Sequence, residues 1–221
     1  MRKLRFATNE FYHIYNRGNN KRLIFNEFFD LDRFLQSLEY FNTEEPVGGL
    51  YLMSFNKNIS QKGNSKLVDY ICYCLNPNHF HLIIKQLVDQ GVTKIMHRIG
   101  TGYTRFFNDK YNSSGSLFQG RFKAKHIDSN EYLLHLSTYI NLNTEAHLLR
   151  GSASQLSNSS WDEYVGGSKD KKNYNLCNKD IILSQFKNLS EYKKFAEESL
   201  KTIRDRKEML KILEEDGFMT T

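Results

Sequence analysis

Two apolar runs around one tight turn constrain this chain more than any other feature. Residues 67–75 read LVDYICYCL and residues 79–85 read HFHLIIK, with Asn76-Pro77-Asn78 between them. Both runs are rich in β-branched and aromatic residues, and the Asn-Pro-Asn bridge is turn chemistry, so 68–85 is expected to be a β-hairpin. A lone hairpin is marginal in water and needs further strands or a packed helix. The rest of the chain offers both. Residues 11–16 (FYHIYN) read as a strand ending at Arg17-Gly18, 50–56 (LYLMSFN) as another, and 121–127 as a short one. Leu31, Phe34, Leu35 and Leu38 recur at helical spacing within 29–41. Further helices are expected over 92–108 and 129–143, the latter with Ser129 as N-cap and Glu131 in the first turn. Strands and helices interleaved around a hairpin imply an α+β fold, an antiparallel sheet with helices packed on it. Beyond 150 the composition turns polar and rich in Ser, Gly and Asn, and a charged amphipathic helical part follows over 179–215. The expected organisation is therefore a domain over 1–150 and a C-terminal helical extension over 151–221.

The 221 residues suffice for a sizeable core. No run of about 18 apolar residues occurs, which argues against a membrane span. The start, MRKLRFATNEFYHIYNRG, is basic but lacks the apolar stretch of a secretion signal. Three cysteines, Cys72, Cys74 and Cys177, are too few and odd in number for a disulfide framework and fit a reducing cytoplasm.

His79 and His81 flank Phe80 on the second run of the hairpin. Side chains alternate along a strand, so both imidazoles point to one face while Phe80, Leu82 and Ile84 anchor the other in a core. Neutral imidazole is a good transition-metal ligand, and two on a rigid strand form a platform for an ion. The same spacing also arises on a half-exposed strand that binds nothing. Two ligands are too few, and the expected helix 129–143 carries Tyr139 and Asn143 one turn apart on one face. An amide oxygen suits Mg²⁺ or Mn²⁺, and a phenolate can attack phosphorus, although most of the 13 tyrosines must be core aromatics.

Between Lys94 and His126 lie Lys94, Arg98, Arg105, Lys110, Arg121, Lys123 and Lys125, against one acid, Asp109. The local charge of +6 equals the net charge of the whole chain. Aromatic residues are interleaved, and Gly100, Gly102, Gly115 and Gly120 give room for close backbone approach. Cations neutralise phosphates and exposed rings stack bases, so Lys94, Arg98, Arg105, Arg121, Lys123 and Lys125 form a candidate nucleic-acid-binding set.

His-hydrophobic-His on a strand, followed some sixty residues later by a helical Tyr with an amide four residues on, resembles the HUH single-tyrosine transposases. The resemblance is closest to the REP-associated tyrosine transposases. It is carried by FYHIYNRGNNKRLIF (11–25), CLNPNHFHLIIKQ (74–86), the stretch 100–143 from GTGYTRFF to STYINLN, and LCNKDIILSQF (176–186). One departure is Thr144, where relatives commonly have proline. The resemblance implies a ferredoxin-like α+β domain that cuts and joins single-stranded DNA containing a hairpin. In it His79, His81 and Asn143 would hold Mg²⁺ or Mn²⁺, and Tyr139 would be the nucleophile that forms a 5′-phosphotyrosine link. Lys123, Lys125 or His126 would help ionise the phenol. Such an enzyme would act in the cytoplasm, on nucleoid DNA, as a monomer or a homodimer. Two other readings compete. One is a structural zinc site of Cys72, Cys74, His79 and His81, although C-x-C with H-x-H across a tight hairpin is not a usual zinc spacing. The other is a non-catalytic nucleic-acid-binding module derived from a transposase.

Overall fold

The computed structural model describes residues 4–45, 47–50, 65–142, 156–166 and 174–205. The hairpin forms where the sequence puts it. Strand β2 (Val68–Asn76) pairs antiparallel with β3 (His79–Gln86), closing on the pair Asn76 and His79, with an irregularity between Tyr70 and Cys72. Its turn is pinned from outside. The Pro77 carbonyl accepts from the amides of Ile24 and Phe25, and the Asn78 carbonyl accepts from Gly18.

Strand β1 (Phe11–Arg17) lies on the far side of β3, and β4 (Lys123–Ile127) lies outside β1. A two-residue strand β5 (Asn158–Ser159) pairs with β2, so the sheet order is β4-β1-β3-β2-β5, with every pair antiparallel. Helix α1 (Phe28–Tyr40) links β1 to the hairpin and α2 (Gly91–Tyr111) links the hairpin to β4. This is the ferredoxin-like α+β arrangement with one strand added at its edge. The strand expected over 50–56 lies outside the described residues except for Leu50, which is buried.

Phe80, Leu82 and Ile84 are buried as the alternation requires. Helices α1 and α2 cover that face: Phe34 lies 5.2 Å from Phe80 and 5.0 Å from Tyr103, ring centre to ring centre. The two helices approach closely at Gly102, where a Cβ would come within 2.6 Å of the Phe41 ring. This glycine therefore serves helix packing rather than approach of a phosphodiester. The start of α1 is fixed by Asp30, whose buried carboxylate accepts from the amides of Asn26 and Glu27 and pairs with Lys110 and Tyr111 of α2.

Helix α3 (Asn130–Asn141) begins as expected, with the Ser129 hydroxyl accepting from the Tyr132 amide, a cap worth about 1 kcal/mol. It crosses the other face of the sheet. The helical part expected over 179–215 consists, within the described residues, of α5 (Asp180–Leu183) and α6 (Leu189–Asp205), preceded by the short α4 (Trp161–Val165). The break has a local cause: the Asn188 side chain accepts from the Glu191 amide and starts a new helix. Tyr164 and Tyr192 join the main core, and Leu142 packs on Ala196 and Leu200 of α6. Among the described residues no helix is long and apolar enough to cross a membrane.

Candidate active site

The register of three strands assembles one polar face. Tyr15 stands opposite His81 and Arg17 opposite His79 across the β1–β3 ladder. On β1's other side, His13 stands opposite Lys125 and Tyr15 opposite Lys123. On the hairpin, Asn76 is opposite His79 and Cys74 opposite His81. His13, Tyr15, Arg17, Asn76, His79, His81, Lys123 and Lys125 therefore share the face that points away from Phe80.

The two histidines of the motif converge. Their ring centres are 5.2 Å apart and the planes meet at 86°. An ion about 2 Å from a ring nitrogen lies about 3 Å from the ring centre, so two imidazoles on one ion sit roughly 4.5–5.5 Å apart. The donor set fits a metal in this respect. Around His79, the Asn78 Oδ1 lies 2.6 Å from Nδ1 and the Asn76 Nδ2 lies 3.0 Å from Nε2. Amide oxygen only accepts and amide nitrogen only donates, so Nδ1 carries the proton and Nε2 the lone pair.

The two rings of this platform differ in exposure. His79 is half-buried, but His81 is 2% exposed. Strand β1 is the reason. The Tyr15 ring lies near-parallel to His81 at 5.8 Å and 25°, and the His13 ring meets His81 edge to edge, nearly coplanar, with ring centres 5.2 Å apart. The His13 Nε2 lies 3.0 Å from the His81 Nδ1. Burial pulls the His13 pKa down from its ordinary value to about 3, with the nearby Lys125 charge adding to the effect, so this ring is neutral at pH 7. Sequence reasoning alone misses His13. Its signal is the alternation of His13, Tyr15 and Arg17 along one strand, but only the sheet order shows which strand lies beside it.

Tyr139 lies on α3 and is 5% exposed within the main core. Its helix lies on the histidine face, where Lys125 carries its ammonium 5.6 Å from the Tyr132 ring centre. The end of α3 is anchored by Asn141, which donates to the Tyr192 hydroxyl at 3.0 Å and accepts from Ser160. Asn143, the third expected ligand, lies outside the described residues. Among the described residues no three His, Cys, Asp or Glu side chains form a group able to hold a metal ion. The four-residue zinc set of Cys72, Cys74, His79 and His81 therefore does not assemble there. Burial instead pushes the Cys72 thiol well above its usual range.

The basic residues divide between the two sides of the sheet. Lys123 and Lys125 are exposed beside the histidines, and the Lys123 ammonium lies 5.8 Å from the Tyr15 ring centre. His126 alternates to the other face and bonds Glu10 at 2.8 Å. Lys94 and Arg105 are exposed on α2, with Arg105 3.8 Å from Asp109. Arg121 lines a cavity of about 760 Å³ together with Arg5, His97, Phe118 and Phe80, a lining that does not include His13, His79 or His81. Arg98 is committed elsewhere: its guanidinium donates to the carbonyls of Phe41, Thr43 and Glu44 and closes the turn after α1.

The sequence profile of a family described as "Transposase IS200 like" matches residues 11–143, more than half of the chain. The chain belongs to this family. The matched span opens on the first residue of β1 and includes His79, His81, Tyr139 and Asn143. Among solved structures, a REP-associated tyrosine transposase bound to a REP hairpin is similar in fold. Its TM-score is 0.52 at 11% sequence identity, over 80% of this chain and 96% of that one. No curated protein sequence is significantly similar to this chain. The polar face of the sheet, rather than the cavity on the helical side, gathers imidazole, phenol and ammonium groups.

Proposed function

We propose that this transposase cuts and rejoins single-stranded DNA through a 5′-phosphotyrosine on Tyr139, with His79, His81 and Asn143 holding Mg²⁺ or Mn²⁺. The observation that carries the proposal is the pair of imidazoles 5.2 Å apart on the sheet face that the tyrosine-bearing helix crosses. When bound, the ion supplies a Lewis acid that polarises a non-bridging phosphate oxygen and orients the phosphodiester.

The chain's own residues do the rest. The Tyr139 hydroxyl attacks phosphorus in line, a bond forms between its oxygen and phosphorus, and the bond from phosphorus to the 3′-oxygen breaks. The phenol loses its proton and the departing 3′-oxygen gains one. The phosphotyrosine retains the energy of the phosphodiester, so a 3′-hydroxyl reverses the step and joins a new strand. An ordinary phenol has a pKa near 10, and the Lys123 and Lys125 ammonium groups favour its ionised form. Tyr139 is buried, so access for the phosphodiester comes from displacement of α3. The DNA substrate contains a hairpin, and the protein acts in the cytoplasm as a monomer or homodimer.

The test is incubation with labelled single-stranded DNA hairpins and Mg²⁺ or Mn²⁺, read on a denaturing gel. A covalent protein–DNA band is expected. Tight DNA binding with no adduct under any metal would instead support the non-catalytic binding module.

The division of the basic residues gives a second expected result. Changing Lys123 and Lys125 together to Ala weakens single-strand binding. It also flattens the slope of log K against log salt by roughly 1 to 1.5 units, at about 0.7 for each phosphate that is no longer neutralised. Arg98→Ala leaves that slope unchanged and lowers thermal stability, because it strips three carbonyls of the turn after α1 of their donor. Titrations across a salt series, with a thermal melt of each variant, check both.

A further inference from the structure

We propose that His13 is a positioning residue that fixes the His81 tautomer for metal binding, accepting the Nδ1–H of His81 on its own Nε2. This inference rests on the reading of His81 as a metal ligand. The two nitrogens are 3.0 Å apart and both rings are buried. One proton lies between them, and its owner decides what His81 does. If His13 donates, the proton of neutral His81 sits on Nε2, and that nitrogen has no lone pair to give. If His81 donates, its Nε2 carries the lone pair and its Nδ1 is held in place. Ligation through Nε2 therefore requires the second arrangement. Ligation through Nδ1 would break the contact with His13.

The sheet makes His13 suited to this work. It sits on β1 diagonal to His81, which is opposite Tyr15, so its ring reaches across the ladder. Its ring is nearly coplanar with His81, at an interplanar angle of 22°, and meets it edge to edge through the two nitrogens, so the hydrogen bond limits rotation of the ligand. Tyr15 covers the same ring at 25°. An imidazole that receives the second N–H of a ligating histidine raises the basicity of that ligand and sets its direction. His79 has an equivalent partner in Asn78, whose side-chain oxygen lies 2.6 Å from its Nδ1. Each imidazole of the pair is thus contacted at Nδ1, and the His79 Nε2 faces the Asn76 amide nitrogen at 3.0 Å, a contact that an ion on His79 would replace.

Three variants and one spectrum test the assignment, using Mn²⁺ alone as the probe. His13→Leu removes the acceptor, and His13→Gln keeps an oxygen at about the place of Nε2. Mn²⁺ affinity, followed by electron paramagnetic resonance, is expected to fall about 10- to 100-fold in His13→Leu and to recover most of that loss in His13→Gln. His81→Ala serves as reference. Wild-type affinity in His13→Leu alongside lost affinity in His81→Ala would overturn the positioning role while leaving the ligand reading intact. Unchanged affinity in His81→Ala would overturn both. Should His13→Leu fail to fold, ¹⁵N imidazole NMR of the wild-type protein with Mg²⁺ decides. A proton on Nδ1 of His81 supports the assignment, and a proton on Nε2 rejects it.

Discussion

Under the proposed mechanism, Tyr139→Phe is expected to abolish the covalent protein–DNA adduct and to lower strand cleavage by at least ~10³-fold, because it removes the oxygen proposed to attack phosphorus. The ring stays, so packing in the core is retained and DNA affinity holds near the wild-type value. No concentration of Mg²⁺ or Mn²⁺ restores the adduct, since the ion acts on the phosphate and cannot replace the phenol. Other tyrosines serve as controls with known tasks. The Tyr103 hydroxyl donates to the Ile24 carbonyl at 2.7 Å, and the Tyr111 hydroxyl donates to Asp30 at 2.7 Å. Their Phe variants each lose a hydrogen bond, worth about 1 kcal/mol of stability, yet still form the adduct. Tyr132, beside Lys125, is a third control. Labelled hairpin DNA on a denaturing gel gives the comparison. A wild-type adduct rate in Tyr139→Phe, with loss in one of the controls, would reassign the nucleophile.

The two histidines of the proposed metal site are expected to differ in what their loss does to the protein. His79→Ala and His81→Ala both remove Mn²⁺ binding and reduce cleavage to background, because a single imidazole holds the ion poorly. His79 is half-buried and bonds two asparagines of its own turn, so its loss costs under about 1 kcal/mol. His81 is packed between His13 and Tyr15 and leaves a hole in a tight layer, which costs about 2 kcal/mol or more. Calorimetric Mn²⁺ titration and chemical denaturation of the metal-free variants separate the two contributions. Excess Mn²⁺ partly rescues His79→Ala, where Asn76 remains beside the vacated position. Full cleavage by His81→Ala with no change in Mn²⁺ affinity would remove the histidine pair from the mechanism.

Local signals carried most of the elements of this fold. Alternation, the Asn-Pro-Asn turn and the Ser129 cap act over two to ten residues, so the chain states them directly. The hairpin, β1, β4 and helices α1 to α3 form within a few residues of where patterning puts them. Alternation also places His79 and His81 on one face and Phe80, Leu82 and Ile84 on the other. The break at Asn188 is hidden in the sequence because a charged amphipathic pattern runs through it, and one side-chain cap decides the matter.

The sequence by itself therefore determined most of the elements of the sheet domain, the faces of its strands and the chemical types at the site. Tertiary structure alone decided which strands are neighbours, and every surprise at the site follows from that. Strand β1 comes to lie beside β3 across a separation of 68 residues between His13 and His81, which buries His81 and gives it an imidazole partner. The basic run that is continuous in sequence is split by the sheet, since α2 covers one side while Lys123 and Lys125 emerge on the other. Arg98 is held by the carbonyls of the turn after α1. Strand order and helix placement depend on long-range pairing and burial, energies summed over the whole core, and no local stretch of residues encodes them.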